Sequence, residues 1–352
     1  MYTYVHGGDI YSEKFKNKGK IFDFSANINP FGLPTGVKEA LKKAAINCAD
    51  YPDPFCRELT EAVATFHNIE KKSLFFSNGA ADVLFRLAFA LKPKKTLLLA
   101  PTFADYEKAF NVGGSEISYY ELLEKNEFEI QEDILDLIDE NLDLIVICNP
   151  NNPTGKLIKK ELLTRVLKKS QEKKVKLLID ECFMDFVNEN DKYSFIEEVK
   201  NYTNLIILKA FTKTYAMAGV RLGYCITSDF NLLNKCREVG QDWSVSTLAQ
   251  KAGIAAIKED KYLLESHEYI DNERKVLLNE LNKLGFKTYK SLANYIFFHS
   301  DLNNLKEELE KYKIVIRSCE NYKNLGTGYY RIAVKRKTAN KYLIKCLKEI
   351  LK

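Results

Sequence analysis

The sequence predicts an α/β protein in which a large domain with a mostly parallel sheet precedes a smaller α+β domain. Short, almost wholly apolar segments recur between residues 74 and 226, with helical patterns between most of them. Such segments are typical of parallel strands that are covered on both faces. After about residue 229 the pattern changes to long charged helices and short strands, and 352 residues exceed one ordinary domain.

The segments follow one another in a regular order. Strands are predicted at 74–77, 96–100, 117–120, 143–148, 176–179, 205–208 and 222–226, and helices at 82–91, 106–112, 132–139 and 159–173. The smaller domain is predicted to have helices at 250–258, 262–284 and 339–351 and strands at 295–299, 314–317 and 330–334. The first forty residues show little regular pattern and are expected to pack across the domain junction. The predicted boundaries are an N-terminal segment 1–35, a large domain 36–229 and a small domain 230–352.

Composition excludes several classes of function. A net charge of +5 is spread along the chain without a basic block, which argues against nucleic-acid binding. No apolar run approaches the roughly 18 residues of a membrane span, and the first residues contain no signal-peptide core. The eight cysteines form no CxxC pair and there are only four histidines, so no metal site is expected. Cysteines inside apolar strands indicate reduced thiols and a cytoplasmic protein.

Chemically active residue types follow three of the predicted strands, at the edge where α/β folds bind ligands. Asn152 lies in an Asn/Pro-rich turn after 143–148, and Asp180 ends the next strand. Lys213 follows 205–208, and Arg221 comes soon after it. Each could have a structural role alone, in a turn, a helix cap or a surface. In this order, an amide, an acid, an amine and a guanidinium converge on one site.

This ordered set resembles the aspartate-aminotransferase superfamily, the pyridoxal-phosphate (PLP) enzymes of fold type I, from about Asp23 to Arg331. The resemblance implies that Lys213 forms a Schiff base with PLP and later transfers protons. It also implies that Asp180 pairs with the pyridinium nitrogen, which makes the ring an electron sink.

Further cofactor contacts are implied by the same resemblance. Asn152 matches the amide that binds the ring 3′-oxygen, and Phe103 the aromatic side chain that stacks on the ring. The phosphate ligands would be Thr212, Arg221 and the backbone of Gly79, Ala80 and Ala81 at a helix N-terminus. Tyr51 matches a tyrosine that reaches the phosphate of the neighbouring subunit's cofactor, so a homodimer is expected.

Two positions depart from the family pattern. Ala210 stands where a serine usually binds the cofactor phosphate, and Phe183 where a tyrosine often binds the 3′-oxygen. Since a phenyl ring cannot donate a hydrogen bond, Asn152 would bind that oxygen with less help. The pKa of the Schiff base is then expected to be less depressed than in a typical aminotransferase.

Two branches of the superfamily compete for the reaction. In both, Arg331 matches the arginine that binds the substrate carboxylate, and Arg317 matches one that binds a substrate phosphate. Histidinol-phosphate aminotransferases share these motifs. Threonine-phosphate decarboxylases of cobalamin biosynthesis resemble the chain more closely, at residues 6–9, 23–30, 180–186, 243–245 and 316–322. The substrate site implied by this resemblance comprises His6, Asn29, Asn152, Arg317 and Arg331, whereas Asp9 is given no ligand role.

The choice between the branches depends on which Cα bond of the substrate stands perpendicular to the cofactor ring. Arg331 binds the carboxylate in both branches, so the sequence does not reveal this torsion. Decarboxylation is favoured on motif resemblance. A different class, a catalytically silent regulatory or binding protein with a PLP fold, is disfavoured because Lys213, Asp180 and Arg331 are all present.

Overall fold

A computed structural model describes residues 6–12 and 19–352 of the chain. The strands are β1 (Phe22–Asp23), β2 (Leu74–Ser77), β3 (Lys95–Ala100), β4 (Glu116–Glu121), β5 (Leu144–Cys148), β6 (Lys176–Asp180), β7 (Leu205–Ala210), β8 (Gly223–Ile226), β9 (Lys287–Tyr289), β10 (Tyr295–His299), β11 (Ile314–Val315), β12 (Arg317–Ser318) and β13 (Tyr329–Ala333). The helices are α1 (Thr35–Ala45), α2 (Arg57–His67), α3 (Ala80–Leu91), α4 (Ala104–Val112), α5 (Lys160–Glu172), α6 (Phe211–Thr214), α7 (Phe230–Glu238), α8 (Thr247–Ala256), α9 (Asp260–Lys283), α10 (Leu305–Glu310) and α11 (Lys337–Ile350).

The larger sheet has the strand order β2-β8-β7-β6-β5-β3-β4. Strands β3 to β7 pair in parallel, while β8 runs antiparallel to both of its neighbours. The central strands β5 and β7 are buried at every position because helices cover both faces of the sheet. The α/β class and the mostly parallel sheet predicted from the sequence are confirmed.

A smaller antiparallel sheet, β12-β13-β10-β9, follows in the chain. Its core contains Ile270 and Leu277 of α9, Tyr295 and Phe298 of β10, and Leu343 of α11. The short strand β1 pairs in parallel with β11, which connects the N-terminal segment to this part of the chain. The domain boundaries stay predictions, and residues 1–5 and 13–18 of the predicted N-terminal segment lie outside the described residues.

The predicted helix at 132–139 is wrong, because the chain forms a 3-10 helix at Glu132–Leu137 instead. Only Ile134 of this segment is buried, and short helices depend on packing to form regular α-turns. The prediction also missed α1, α2, α7 and α10, whose apolar residues alternate with many charged ones, and the four-residue helix α6.

The sheet brings the chemically active segments together at one edge. Cys148, Asp180 and Leu208 are neighbours across β5, β6 and β7, so the loops that follow these parallel strands begin side by side. Across the described ranges, no helix has both the length and the apolar character needed to cross a membrane.

Candidate active site

A cavity of about 250 Å³ lies at this edge of the large sheet. Its lining includes eleven of the residues singled out in the sequence: His6, Ala80, Ala81, Phe103, Asn152, Asp180, Thr212, Lys213, Arg221, Arg317 and Arg331. Gly79 lies outside this lining but next to Arg221, which is part of it. Residues from the N-terminal segment, the large sheet and the small sheet therefore meet in one cavity.

Lys213 stands on the one-turn helix α6, directly after β7. Burial lowers the pKa of its amine to about 8, and the nearby Arg331 and Arg221 guanidiniums lower it as well. A neutral amine is the form that attacks an aldehyde, so the protein favours the reactive form of Lys213.

Asp180 ends β6 with its carboxylate buried beneath the cavity. Oδ1 accepts a hydrogen bond of 2.8 Å from the backbone N–H of Cys182, and Oδ2 accepts one of 2.5 Å from the Tyr106 hydroxyl. Burial raises the pKa of Asp180, whereas these hydrogen bonds and the charge of Lys209 act in the opposite direction. A protonated ring nitrogen is a cation that fits such a buried carboxylate.

The backbone around Gly79 forms a cradle for an anion. Gly79 precedes α3 with φ +86°, and the first N–H groups of that helix, like those of any helix N-terminus, have no intrahelical partners. A Cβ atom on Gly79 would lie 2.6 Å from an Arg221 guanidinium nitrogen. The guanidinium, the helix N-terminus and the nearby Thr212 hydroxyl are the donor types that bind a phosphate, so this part of the site fits the phosphate of PLP.

Asn152 and Arg331 are hydrogen-bonded to each other in the cavity. Oδ1 of Asn152 accepts a hydrogen bond from an Arg331 guanidinium nitrogen, and the other terminal nitrogen of Arg331 donates to the Ser25 carbonyl at 2.6 Å. The Asn152 oxygen accepts from Arg331, and its NH₂ group is the part of the side chain that can donate to a ligand. The buried Nε–H of Arg331 has no hydrogen-bond partner among the described residues, which suits an anionic ligand.

Arg317 and Arg331 lie side by side on adjacent strands of the small sheet. They are direct register partners on the antiparallel strands β12 and β13, so their side chains leave the same face of the sheet. A terminal nitrogen of Arg317 donates to Asn321 Oδ1 at 2.7 Å, and its guanidinium lies over the Tyr322 ring. Like charges at directly opposite positions repel, so this pair favours a ligand that carries negative charge.

Phe103 and His6 form the cavity wall on the side of α4. Their ring centroids are 5.4 Å apart, and Nε2 of His6 lies 2.9 Å from an Asp105 carboxylate oxygen. The N–H of Gly8 donates to Ser25 Oγ at 2.8 Å, which holds the N-terminal segment against the cavity. Asp9 accepts from Ser12 and is not part of the cavity lining.

Three of the predicted site residues are not part of the cavity lining: Gly79, which lies against Arg221, and the two described next, Asn29 and Tyr51. The Asn29 side chain donates to the Thr214 carbonyl and accepts from the Phe31 N–H, so it binds the backbone rather than the cavity. Tyr51 is 79% exposed and stacks on Trp243 at a ring distance of 4.5 Å. The predicted role of Tyr51 needs a second subunit and stays a prediction.

The two departures from the family pattern, Ala210 and Phe183, are both part of the cavity lining. Sequence reasoning gave no site role to ten other residues of this lining. They are Gly7, Ser25, Ala26, Asn27, Leu84, Asp105, Tyr106, Cys148, Cys182 and Tyr322. Tyr106 could have been found from its position one helical turn after Phe103. The buried Oδ1 of Asn27 has no hydrogen-bond partner within 6–12 and 19–352.

Comparisons with known sequences cover nearly the whole chain. Residues 19–347 match the family described as aminotransferase class I and II. The threonine-phosphate decarboxylase of Salmonella typhimurium is 32% identical, and the alignment spans 100% of this chain and 98% of the relative. A histidinol-phosphate aminotransferase from a Geobacillus species is also 32% identical, over 94% of this chain and 90% of the relative.

Solved structures with both of these names also share this fold. The histidinol-phosphate aminotransferase of Clostridium acetobutylicum has a TM-score of 0.89 and 32% identity, covering 94% of this chain and 99% of the other. The L-threonine-O-3-phosphate decarboxylase of Porphyromonas gingivalis has a TM-score of 0.84 and 23% identity with the same coverage, which shows likeness of fold. This chain therefore belongs to the class I and II aminotransferases, a family of PLP-dependent enzymes.

Proposed function

We propose that this enzyme uses PLP to decarboxylate a phosphorylated amino acid, L-threonine-O-3-phosphate. The observation that carries the substrate class is the direct pairing of Arg317 with Arg331 across β12 and β13. Arg331 would bind the substrate carboxylate and Arg317 its phosphate, which relieves the repulsion between the two guanidiniums. The relatives named threonine-phosphate decarboxylase support this reading.

Some residues of the cavity would bind the cofactor, and others would bind the substrate. Bound PLP supplies an electron-accepting ring, and the Cα bond of the substrate that stands perpendicular to this ring is the one that breaks. Arg221, Thr212 and the backbone at Gly79–Ala81 would bind its phosphate. Asp180 would hold a proton on the ring nitrogen, and the NH₂ group of Asn152 would bind the 3′-oxygen.

Lys213 would hold the cofactor covalently and then move protons as a free amine. Its pKa of about 8 lets the amine both accept and release a proton near neutral pH. Arg331 is held by Asn152 and Ser25, so the carboxylate that it binds has one defined place in the cavity. Decarboxylation requires this place to set the Cα–carboxylate bond perpendicular to the ring.

The decarboxylase reading is favoured by where its distinguishing segments lie. Four of the five segments that carry the resemblance to decarboxylases, 6–9, 23–30, 180–186 and 316–322, contribute to the cavity lining, whereas 243–245 does not. A substrate specificity that differs from that of the aminotransferases needs differences at these positions. The Phe183 ring, which replaces a hydroxyl donor, lies here and meets Tyr295 edge-on at 5.1 Å.

Histidinol-phosphate transamination is the second candidate. It is favoured by the C. acetobutylicum aminotransferase structure, which is 32% identical and has a TM-score of 0.89. The same arginine pair would serve this reaction, with Arg317 on the phosphate of histidinol phosphate and Arg331 on the carboxylate of the amino acceptor.

We also propose a cytoplasmic homodimer. All eight cysteines lie among the described residues as free thiols, which suits a reducing compartment. The exposed Tyr51–Trp243 stack would meet the second subunit, where Tyr51 would reach the partner's cofactor phosphate.

One experiment separates the candidate reactions. The purified PLP-loaded protein is incubated with L-threonine phosphate alone, and in parallel with histidinol phosphate plus 2-oxoglutarate. Carbon dioxide release without an amino acceptor is expected under the proposal. Glutamate formation only in the second mixture would establish the aminotransferase instead, and no turnover in either would support a catalytically silent protein.

A further inference from the structure

The short helix that carries Lys213 needs support from outside itself. Helix α6 spans only Phe211–Thr214, and one turn of helix is not stable alone. The carboxylate of Asp185 contacts one residue on each side of Lys213: Lys209, which lies just before α6, and Thr214, the last residue of α6. Its Oδ1 lies 2.5 Å from the Lys209 amine at the end of β7, and its Oδ2 accepts a hydrogen bond of 3.1 Å from the Thr214 hydroxyl.

In the Lys209–Asp185 ion pair the lysine is buried, whereas the Asp185 side chain is 20% exposed. Lys209 is 4% exposed, and its pKa stays above its usual value because the Asp185 and Glu181 charges outweigh the effect of burial. Separating a buried charge from its partner leaves that charge uncompensated. Lys209 and Asp185 are therefore held in contact. Asp185, Lys209 and Thr214 are absent from the described lining of the cavity, so they do not touch the substrate or cofactor space.

Asp185 is itself fixed to the strand that carries Asp180. It lies on the 3-10 helix Met184–Phe186, directly after the loop that begins at Asp180. Its carbonyl oxygen contacts Nε2 of His267 on α9. The Asn29 N–H donates to the Lys213 carbonyl at 3.1 Å, and its side chain to the Thr214 carbonyl, which holds the turn from the opposite direction.

We propose that Asp185 is a positioning residue, which sets the place of Lys213 relative to Asp180 by binding Lys209 and Thr214 on either side of the lysine turn. The amine and the acid must reach opposite ends of one rigid cofactor ring, so a small displacement of the turn lowers the rate of proton transfer. The inference rests on the proposed roles of Lys213 and Asp180.

The main test is Thr214→Val, which keeps the side-chain shape and the ion pair but removes the hydrogen bond to Asp185. We expect kcat to fall about tenfold with KM within a factor of two, since about 1.4 kcal/mol corresponds to tenfold. In cofactor-free full-length protein, the pH for half-maximal chemical labelling of Lys213, followed by peptide mass spectrometry, should move upward from about 8 as the amine becomes less confined.

Thr96→Val is the matched control. Thr96 is also fully buried, and its hydroxyl lies 2.8 Å from the Ser115 hydroxyl, away from the lysine turn. Both threonine variants lose one hydrogen bond of a buried threonine hydroxyl, so they should lower the unfolding temperature similarly. Only Thr214→Val should change kcat and the labelling pH of Lys213.

A double variant, Lys209→Met with Asp185→Asn, removes both charges of the ion pair with little change of shape. Neutral replacement of a buried ion pair often leaves stability intact. Loss of kcat in a stably folded double variant supports positioning, and the single threonine variants decide the question if the double variant does not fold. Wild-type kcat and labelling in Thr214→Val would overturn the inference. Turnover in Lys213→Ala would overturn the proposed function instead.

Discussion

The hydroxyl of Tyr106 donates a hydrogen bond of 2.5 Å to Oδ2 of Asp180, and both side chains are buried. Burial raises the pKa of the Tyr106 phenol, and the Asp180 charge raises it further, so the hydroxyl keeps its proton and remains a donor. With Cys182 N–H on the other oxygen, the carboxylate has one orientation. Tyr106 therefore determines how Asp180 faces the cavity.

Replacing Tyr106 with Phe should lower kcat about tenfold while PLP still binds. The loss of one donor to a charged acceptor corresponds to roughly 1.5 kcal/mol or more, and Asp180 becomes easier to protonate. Tyr120→Phe is the control, because Tyr120 donates a similar 2.5 Å hydrogen bond to Asp133 outside the cavity. Equal kcat values for the two variants would mean that Tyr106 has only a structural role. Asp180→Asn should lose far more activity than Tyr106→Phe.

The pKa of Lys213 gives a prediction for stability against pH. The folded cofactor-free protein holds this amine near pKa 8, below its usual 10.5, so the unfolded chain binds more protons between these values. The free energy of unfolding should then rise with pH across this window relative to Lys213→Met. Urea titrations of both cofactor-free proteins at several pH values measure the difference. A constant difference from pH 7 to 11 would show that the amine is not perturbed.

Gly79→Ala should weaken PLP binding by displacing Arg221. An added Cβ would lie 2.6 Å from the guanidinium, and φ +86° disfavours any side chain. Gly285→Ala is the matched control, because Gly285 has φ +85° with no atom within 4 Å of the added Cβ. Cofactor titration followed by absorbance should show a raised Kd for Gly79→Ala alone. An unchanged Kd for Gly79→Ala would contradict the phosphate cradle, and an equally raised Kd in both variants would assign the effect to backbone strain.

Arg317→Ala should discriminate between substrates. We expect KM for L-threonine phosphate to rise ten- to a hundred-fold, since a charge-assisted contact contributes roughly 1.5–3 kcal/mol, while L-threonine changes little. Arg331→Ala should weaken both substrates alike, because both carry the carboxylate. Steady-state kinetics with the two compounds provide the measurement. An equal effect of Arg317→Ala on both would make Arg317 structural and remove the basis for a phosphorylated substrate.

Mixed dimers test the proposed place of Tyr51. Tyr51→Ala and Lys213→Ala subunits are each expected to be poorly active or inactive as homodimers. If Tyr51 reaches the partner's cofactor, a hybrid dimer contains one site with both residues intact. Refolding a mixture of the two variants should therefore recover activity above that of either alone. Failure to recover activity, with hybrids confirmed by mass spectrometry, would place Tyr51 outside the partner's site.

The sequence by itself determined the fold class and most of the residues around the cavity. Apolar strand segments are local patterns, and parallel strands end at one edge of a sheet, so sequence order alone groups Asn152, Asp180 and Lys213 at one site. The register of β12 against β13 was beyond this reasoning. Strands of two residues carry too little pattern to define which residues lie opposite one another.

Tertiary structure decided which polar side chains enter the cavity. Asn27 and Asn29 lie two residues apart in one segment, yet only Asn27 is part of the lining, because Asn29 is bound to the backbone at Thr214. Tyr106 and Asp180 are 74 residues apart in the sequence, and Lys209 and Asp185 are 24 residues apart. Such contacts depend on how buried polar groups satisfy one another after the chain has folded, and no local pattern specifies these partners.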